Sequence, residues 1–208
     1  MEEILESDSY FLLRDKISEE IQLLHKLFGW FSDEELKETP RRVANFYLDY
    51  ARKSNGDFNF TTFPVKGKSN LITLKNIEFY SLCGHHLLPF FGKIGIAYLP
   101  WDEEDDGVYG GVSKFPRAVE KFTSRPQVQE VMTEELAEYL WNKLGTKKQP
   151  HPKFLFVQVS ETKHLCTMMR GVKQHEPEMG TNGMRWDSSL SLTDLTSFKT
   201  EAMEELRK

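Results

Sequence analysis

The sequence predicts an α+β fold. Apolar residues recur at helical spacing through the first third of the chain, runs rich in Ile, Leu, Phe and Tyr and bounded by turn residues follow, and helical patterning then returns before a further strand-like stretch. The order reads as helices, two strands, two helices, two strands and a helix, which is an α+β plan.

Ile17, Ile21, Leu24 and Phe28 mark the first helix, and Gly29 suits its C-cap. Ser32-Asp33-Glu34-Glu35 has the form of a capping box for a short second helix. Thr39-Pro40 opens a third, with Pro in the first turn and Val43, Phe46, Tyr47 and Tyr50 as its apolar stripe. Ser54-Asn55-Gly56-Asp57 ends it in a turn. Residues 70–82 and 90–99 read as strands, and Trp101–Gly111 as an acidic, Gly-containing loop. Ser113 is placed to cap a helix running to about Ser124. A further helix is expected from Gln127 to Leu144, with Leu136, Leu140 and Leu144 on one face. Phe154–Ser160 alternates as a strand, and Thr193 to Leu206 closes the chain as a helix. Residues 1–60 are expected to form a helical region and residues 61–208 a single domain that includes the C-terminal helix.

The bulk numbers describe an ordinary globular chain. With 208 residues it can bury a sizeable core. Hydrophobic content of 39% and charged content of 28% are typical of soluble proteins. A net charge of −5 gives no general affinity for nucleic acid or membrane surfaces. The acidic start Met-Glu-Glu-Ile-Leu-Glu lacks the basic and apolar regions of a signal peptide, so a cytoplasmic location with reduced thiols is expected. Asn59-Phe60-Thr61 fits a glycosylation sequon, which has no meaning without secretion.

The chain has two cysteines, and each lies beside histidine: Cys83-Gly84-His85-His86 and His164-Leu165-Cys166. Thiolate and imidazole are the ligands zinc prefers, and three protein ligands leave a fourth position open for water. A Cys₂His site from Cys83, Cys166 and one of His85 or His86 is the metal reading, with the remaining histidines as acid–base groups. Two isolated cysteines are equally well buried core thiols. The reducing compartment disfavours a disulfide.

Five blocks resemble the GTP cyclohydrolase I family. Ser81–Pro100, S-L-C-G-H-H-L-L-P-F-F-G-K-I-G-I-A-Y-L-P, is similar to its first zinc motif and the strand after it. G-V-S-K-F-P-R (residues 111–117) and R-P-Q-V-Q-E-V-M-T (125–133) resemble its next two blocks. H-L-C-T-M-M-R-G-V (164–172) resembles its second zinc motif, and E-T-P-R-R-V-A (38–44) its entry helix. The resemblance implies the tunnelling fold: a ββααββ unit whose antiparallel sheet closes into a barrel across subunits. It implies a ring-based homo-oligomer, usually a decamer of two stacked pentamers, with active sites between subunits. The implied reaction opens the imidazole ring of GTP by hydrolysis, releases C8 as formate and gives 7,8-dihydroneopterin triphosphate.

Carried onto this sequence, the resemblance makes Cys83, His86 and Cys166 the ligands of Zn²⁺ and His85 and His164 the catalytic histidines. Glu130, with Gln129 beside it, would accept hydrogen bonds from the guanine N1–H and 2-amino group. Lys114, Arg117, Arg170 and Arg42, the last from a neighbouring subunit, would answer the triphosphate. Ser113 would add a hydroxyl near a helix N-terminus.

The chain departs from the family in three places. Gly84 stands where a Glu is usual, which removes a carboxylate beside the metal ligands. Trp101–Gly111 is longer and more acidic than is usual. The stretch Gly180-Thr181-Asn182-Gly183-Met184-Arg185-Trp186 only loosely echoes a Thr-rich segment, and no functional residue is assigned there. Alternatives are a weakened member serving as a binding or regulatory subunit, which Gly84 favours, and an enzyme for another purine or pterin. The H-x-E and P-C-x-x-C pattern of nucleobase deaminases is absent.

Overall fold

The structure is a computed structural model in which residues 8–56, 58–170 and 177–207 are described. Asp57 of the expected turn, and Gly171 and Val172 of the last block, lie outside the described residues. The chain divides into two compact units, one on each side of residue 57.

The first unit is helical: α1 (Asp8–Phe28), α2 (Asp33–Leu36) and α3 (Thr39–Asn55). Gly29 ends α1 at φ 64°, and its N–H donates to the His25 carbonyl at 2.7 Å. Ser32 and Glu35 form the capping box of α2, with the Ser32 hydroxyl accepting from Glu35 N–H and the Glu35 carboxylate accepting from Ser32 N–H at 2.8 Å. In α3 the buried residues are Pro40, Ala44 and Leu48. Phe46 and Tyr47 of the expected stripe are instead 52% and 37% exposed. The inward face is thus rotated by about one residue from the aromatic stripe, onto the small Ala44 and the flexible Leu48 four residues on.

The second unit begins with β1 (Thr62–Pro64), β2 (Ile72–Cys83) and β3 (Pro89–Leu99). A 3₁₀ turn at Glu103–Asp105 and β4 (Val108–Gly110) follow, then α4 (Lys114–Thr123), β5 (Pro126–Gln127) and α5 (Gln129–Lys143). The chain continues through β6 (Phe154–His164), α6 (Leu165–Met169), β7 (Met179–Trp186) and α7 (Leu192–Arg207). The main sheet has the order β5-β2-β3-β6-β7, antiparallel except for β5 beside β2, and β1 pairs with β4 in a separate ribbon.

Strand alternation sends side chains to two cores. Ile94, Ile96, Tyr98, Leu155, Val157 and Val159 face Phe115, Val119, Met132, Leu136 and Leu140 of α4 and α5. Ala97, Leu99, Phe154 and Phe156 face the opposite way, against Phe198, Ala202 and Leu206 of α7. Close packing of α5 on β7 requires Gly183, where a Cβ would fall 2.8 Å from that of Ala137.

Three differences from the sequence reading shape the site. The helix expected from Gln127 starts at Gln129, because Pro126 and Gln127 pair with Leu82 and Cys83 as a strand. The strand expected to end at Ser160 runs on to His164, past a register shift where Glu161 takes φ 51°. Ser113 occupies the N-cap position of α4, but its backbone is αR and its side chain makes no capping bond. The Lys114 N–H turns back to the Gly111 carbonyl at 2.8 Å.

Candidate active site

Three strand ends meet at one edge of the sheet. β2 ends at Cys83, β3 begins at Pro89, and β6 ends at His164, which pairs with Phe90. A tight turn joins β2 to β3. Cys83 N–H donates to the Leu88 carbonyl and Leu87 N–H to the Cys83 carbonyl, each at 2.8 Å. Leu87 takes φ 53°, a left-handed conformation that costs a branched residue about 1–2 kcal/mol. The strained turn folds His85 and His86 back over Cys83, with their Nδ1 atoms 3.8 and 3.9 Å from its sulfur.

Opposite this turn, α6 follows β6 directly and carries Cys166 in its first turn. Thr167 Oγ1 donates to the His164 carbonyl at 2.8 Å and holds the junction. The sulfur atoms of Cys83 and Cys166 and a ring nitrogen of His164 lie within 4.8 Å of one another, and neither cysteine is in a disulfide. Two sulfurs and an imidazole nitrogen at this separation suit a tetrahedral ion with metal–sulfur bonds of about 2.3 Å. The group can therefore hold a metal ion.

His164 lies flat on Phe90, with ring centroids 4.5 Å apart and an interplanar angle of 5°. Its Nε2 is 2.9 Å from Gln129 Oε1. Burial lowers its pKa below the ordinary histidine value, and the charge of Glu130 opposes that. Burial raises the Cys166 thiol, and the neighbouring Cys83 raises it further, while Arg170 acts in the opposite sense. A cation between the two sulfurs reverses that balance, since coordination favours thiolates. His86 is exposed and its Nε2 contacts the Arg170 guanidinium; desolvation first, then Arg170 and His85, lower its pKa.

A cleft of about 310 Å³ opens over these groups. Of the residues singled out by the sequence reading, Cys83, His85, His86, Gln129, Glu130, His164 and Cys166 line it and Arg170 does not. Residues that reading did not single out also reach it: Gln127, Thr167, Glu178 and Met179. Glu178 pairs with Lys163 at 3.3 Å. Thr167 follows Cys166 on α6, whereas the approach of Gln127 and Met179 depends on β5 and β7 pairing, which local spacing does not encode. Ser113 and Arg117 are exposed on α4 and its approach, and neither they nor Lys114 line this cleft. Arg42 is exposed on α3 in the first unit. Gly84 lies against β5: its N–H donates to the Gln127 carbonyl at 2.7 Å, and a Cβ there would sit 3.3 Å from that oxygen.

The sequence profile of GTP cyclohydrolase I matches residues 18–192. This chain belongs to the GTP cyclohydrolase I family. GTP cyclohydrolase 1 of Aquifex aeolicus is 44% identical over 161 residues, 76% of this chain and 80% of the relative. GTP cyclohydrolase 1 of a Sulfurihydrogenibium strain is 42% identical over 165 residues, 78% of this chain and 81% of the relative. Among solved structures, the apo form of the archaeosine synthase QueF-Like aligns with a TM-score of 0.40 at 16% identity, over 56% of this chain and 94% of that chain. That likeness is too distant to bear on the site. The family match spans both cysteine–histidine clusters and the segment from Arg125 to Thr133 that brings Gln129 and Glu130 to the cleft. The mixed helix-and-sheet architecture, with its bulged and curled sheet, is consistent with a tunnelling fold.

Proposed function

We propose that this protein is a GTP cyclohydrolase I. It hydrolyses the imidazole ring of the guanine of GTP, releases C8 as formate, and yields 7,8-dihydroneopterin triphosphate. The observation that carries the reading is the meeting of Cys83, Cys166 and histidine nitrogens at the floor of a cleft that Gln129 and Glu130 also line, in a chain of this family.

Cys83, Cys166 and His86 are assigned as the ligands of a Zn²⁺ ion. The tight cluster includes His164 rather than His86. His86 stands on the same turn as Cys83 with its Nδ1 3.9 Å from the sulfur, and the family's motif puts the third ligand at this position. Ligation by His86 leaves His164 available for proton transfer. A bound zinc ion would supply Lewis acidity and a water of lowered pKa.

The protein's own groups do the rest. His85, beside the cluster, and His164, within it, move protons to and from the purine nitrogens and the ribose. His164 suits this because its burial favours the neutral ring. Glu130 accepts from N1–H and the 2-amino group, a pairing that only guanine among the common purines satisfies. Arg170, beside His86, meets the anionic end of the substrate by charge-assisted hydrogen bonds. Lys114, Arg117 and Ser113, with Arg42 supplied by a neighbouring subunit, complete the triphosphate contacts.

That division requires a ring-shaped homo-oligomer with sites between subunits, a decamer of two pentamers by family analogy. Among the described residues the outer strand β7 pairs with β6 alone, and such an edge is suited to strand pairing with a neighbour. No helix among the described residues is long and apolar enough to cross a membrane, and a cytoplasmic location is proposed. The test is direct. Purified protein with zinc converts GTP to formate and a pterin that fluoresces after oxidation. Absence of both products at micromolar enzyme overturns the reading.

A further inference from the structure

The amide of Gln129 belongs to a chain of hydrogen bonds in which every proton can be assigned. Gln129 and Thr133 are 2% and 1% exposed, so water does not compete for their polar groups. Thr133 Oγ1 lies 2.8 Å from the Gln129 backbone carbonyl, which can only accept, so the Thr133 hydroxyl donates there. Thr133 and Thr181 hydroxyl oxygens are 2.7 Å apart. With the Thr133 proton engaged, the donor between them is Thr181. Thr181 then accepts from Gln129 Nε2 at 3.2 Å. The second Gln129 N–H donates to the Met179 carbonyl, also at 3.2 Å. That carbonyl fixes which end of the amide is nitrogen, because an amide oxygen cannot face it. Gln129 Oε1 is therefore the atom facing His164 Nε2 at 2.9 Å, and an acceptor in that position demands N–H on the ring.

We infer that Thr133 and Thr181, acting through Gln129, are positioning residues that hold a proton on His164 Nε2 and leave Nδ1 as the only ring nitrogen free to exchange a proton or bind a ligand. Gln129 is thereby reassigned. Its amide hydrogens and its oxygen are engaged within the protein, so it orients His164 rather than reading the substrate. The stacking of the imidazole on Phe90 fixes the plane of the ring, and the amide fixes its rotation within that plane. The arrangement serves both charge states of the ring, because Nε2–H donates whether Nδ1 is protonated or bare. Thr181 lies in the segment for which the sequence suggested no functional residue.

The inference rests on the reading that His164 works at the reaction centre, and its test separates the two. Metal-free protein labelled with ¹⁵N-histidine is examined by NMR, which reports the tautomer without any turnover. A single His164 species with a pyrrole-type Nε2 and a pyridine-type Nδ1 is expected; Nδ1–H with a bare Nε2 overturns the inference. On the zinc-loaded protein, Thr181→Val is expected to lower kcat about tenfold with KM for GTP held within about twofold, the usual scale for groups that orient an active-site histidine. Thr181→Ser, which restores the hydroxyl, is expected to recover kcat to within about twofold. An unchanged kcat in Thr181→Val, a raised KM alone, or no recovery in Thr181→Ser overturns it. If the natural protein turns over no GTP, the proposed function fails while the tautomer is still read from the NMR spectrum.

Discussion

At one end of the five-stranded sheet, His151 lies flat on Trp141, with centroids 4.3 Å apart, and faces the carboxylate of Asp187 at 3.7 Å. At the other end, His164 lies flat on Phe90 and faces the neutral amide of Gln129. The same strands link the two places: β6 starts just after His151 and ends at His164. Around His151 the interactions close on themselves. Trp101 Nε1 donates to the His151 carbonyl, Lys153 sits over the Trp101 ring and pairs with Asp102, and Asp102 accepts from Ser69. Around His164 the partner is uncharged, two thiols stand within 4.8 Å, and a cleft opens. Desolvation beside that amide lowers the His164 pKa below the ordinary histidine value, and the charge of Glu130 opposes it. The fold thus uses one motif, a histidine stacked near a strand end, to tie loops at one edge and to line the candidate site at the other.

The largest effect that sharpens this contrast comes from removing each ring. His164→Asn is expected to lower GTP turnover by about 10²–10⁴-fold, the scale of a general acid–base group, with little change in melting temperature. His151→Asn is expected to leave kcat within about twofold and to cost about 1–2 kcal/mol of stability, a fall of about 2–8 °C in Tm. Equal losses of activity in the two variants would break the comparison.

Metal removal is next in size. A chelator is expected to speed amide exchange at Cys83–Leu88 and at His164–Met169, while exchange near Trp101 and Lys153 stays as it was, because the far end is held by its own hydrogen bonds, ring contacts and ion pair. Uniform acceleration across the sheet would contradict the separation.

A smaller effect is confined to acid. The Ser69 N–H, then its hydroxyl, with Lys153 beyond, hold the Asp102 carboxyl below its ordinary pKa of 3.8. A depressed folded value contributes stability that is present above the unfolded pKa and is lost as pH falls through the folded one. Asp102→Asn is therefore expected to be less stable than the natural protein at neutral pH, with the gap narrowing below about pH 3.8. Denaturation midpoints across pH 2–7 check this, and a gap that widens in acid would refute it. The smallest effect is at Gly84. With a Cβ only 3.3 Å from the Gln127 carbonyl, Gly84→Glu is expected to change turnover by less than about tenfold. A larger gain, measured as kcat on zinc-loaded protein, would mark the natural chain as impaired.

The site was legible in the sequence where its parts are neighbours along the chain. Cys83, His85 and His86 share one turn, and His164 and Cys166 one strand-to-helix junction, so spacing alone suggested ligands. The longer helices and strands were legible for the same reason, since each carries its own period, whereas the short β1, β4, β5 and α6 were not, β4 lying in the stretch read as a loop. Contacts made by register were not. Gln129 meets Met179 and Thr181 only because α5 packs against β7, and His151 meets Asp187 only because β7 runs back along β6. The start of α5 was misread because Pro126 and Gln127 pair as a strand, a long-range choice that overrides helical patterning. Phe46 and Tyr47 misled because an aromatic stripe on a helix signals burial only if a partner covers it. The Ser113 cap failed for a local reason: its αR backbone places it in a turn from Gly111.

The central claim is that Cys83 and Cys166, brought together from two clusters, hold the metal on which cyclohydrolase activity depends. The most direct measurement is zinc content and GTP turnover on one preparation, for the natural protein and for Cys166→Ala. The account predicts about one zinc per chain and formate release in the natural protein, with both lost in the variant while its circular dichroism is unchanged. Full zinc content in Cys166→Ala, or GTP turnover retained without zinc, would contradict it.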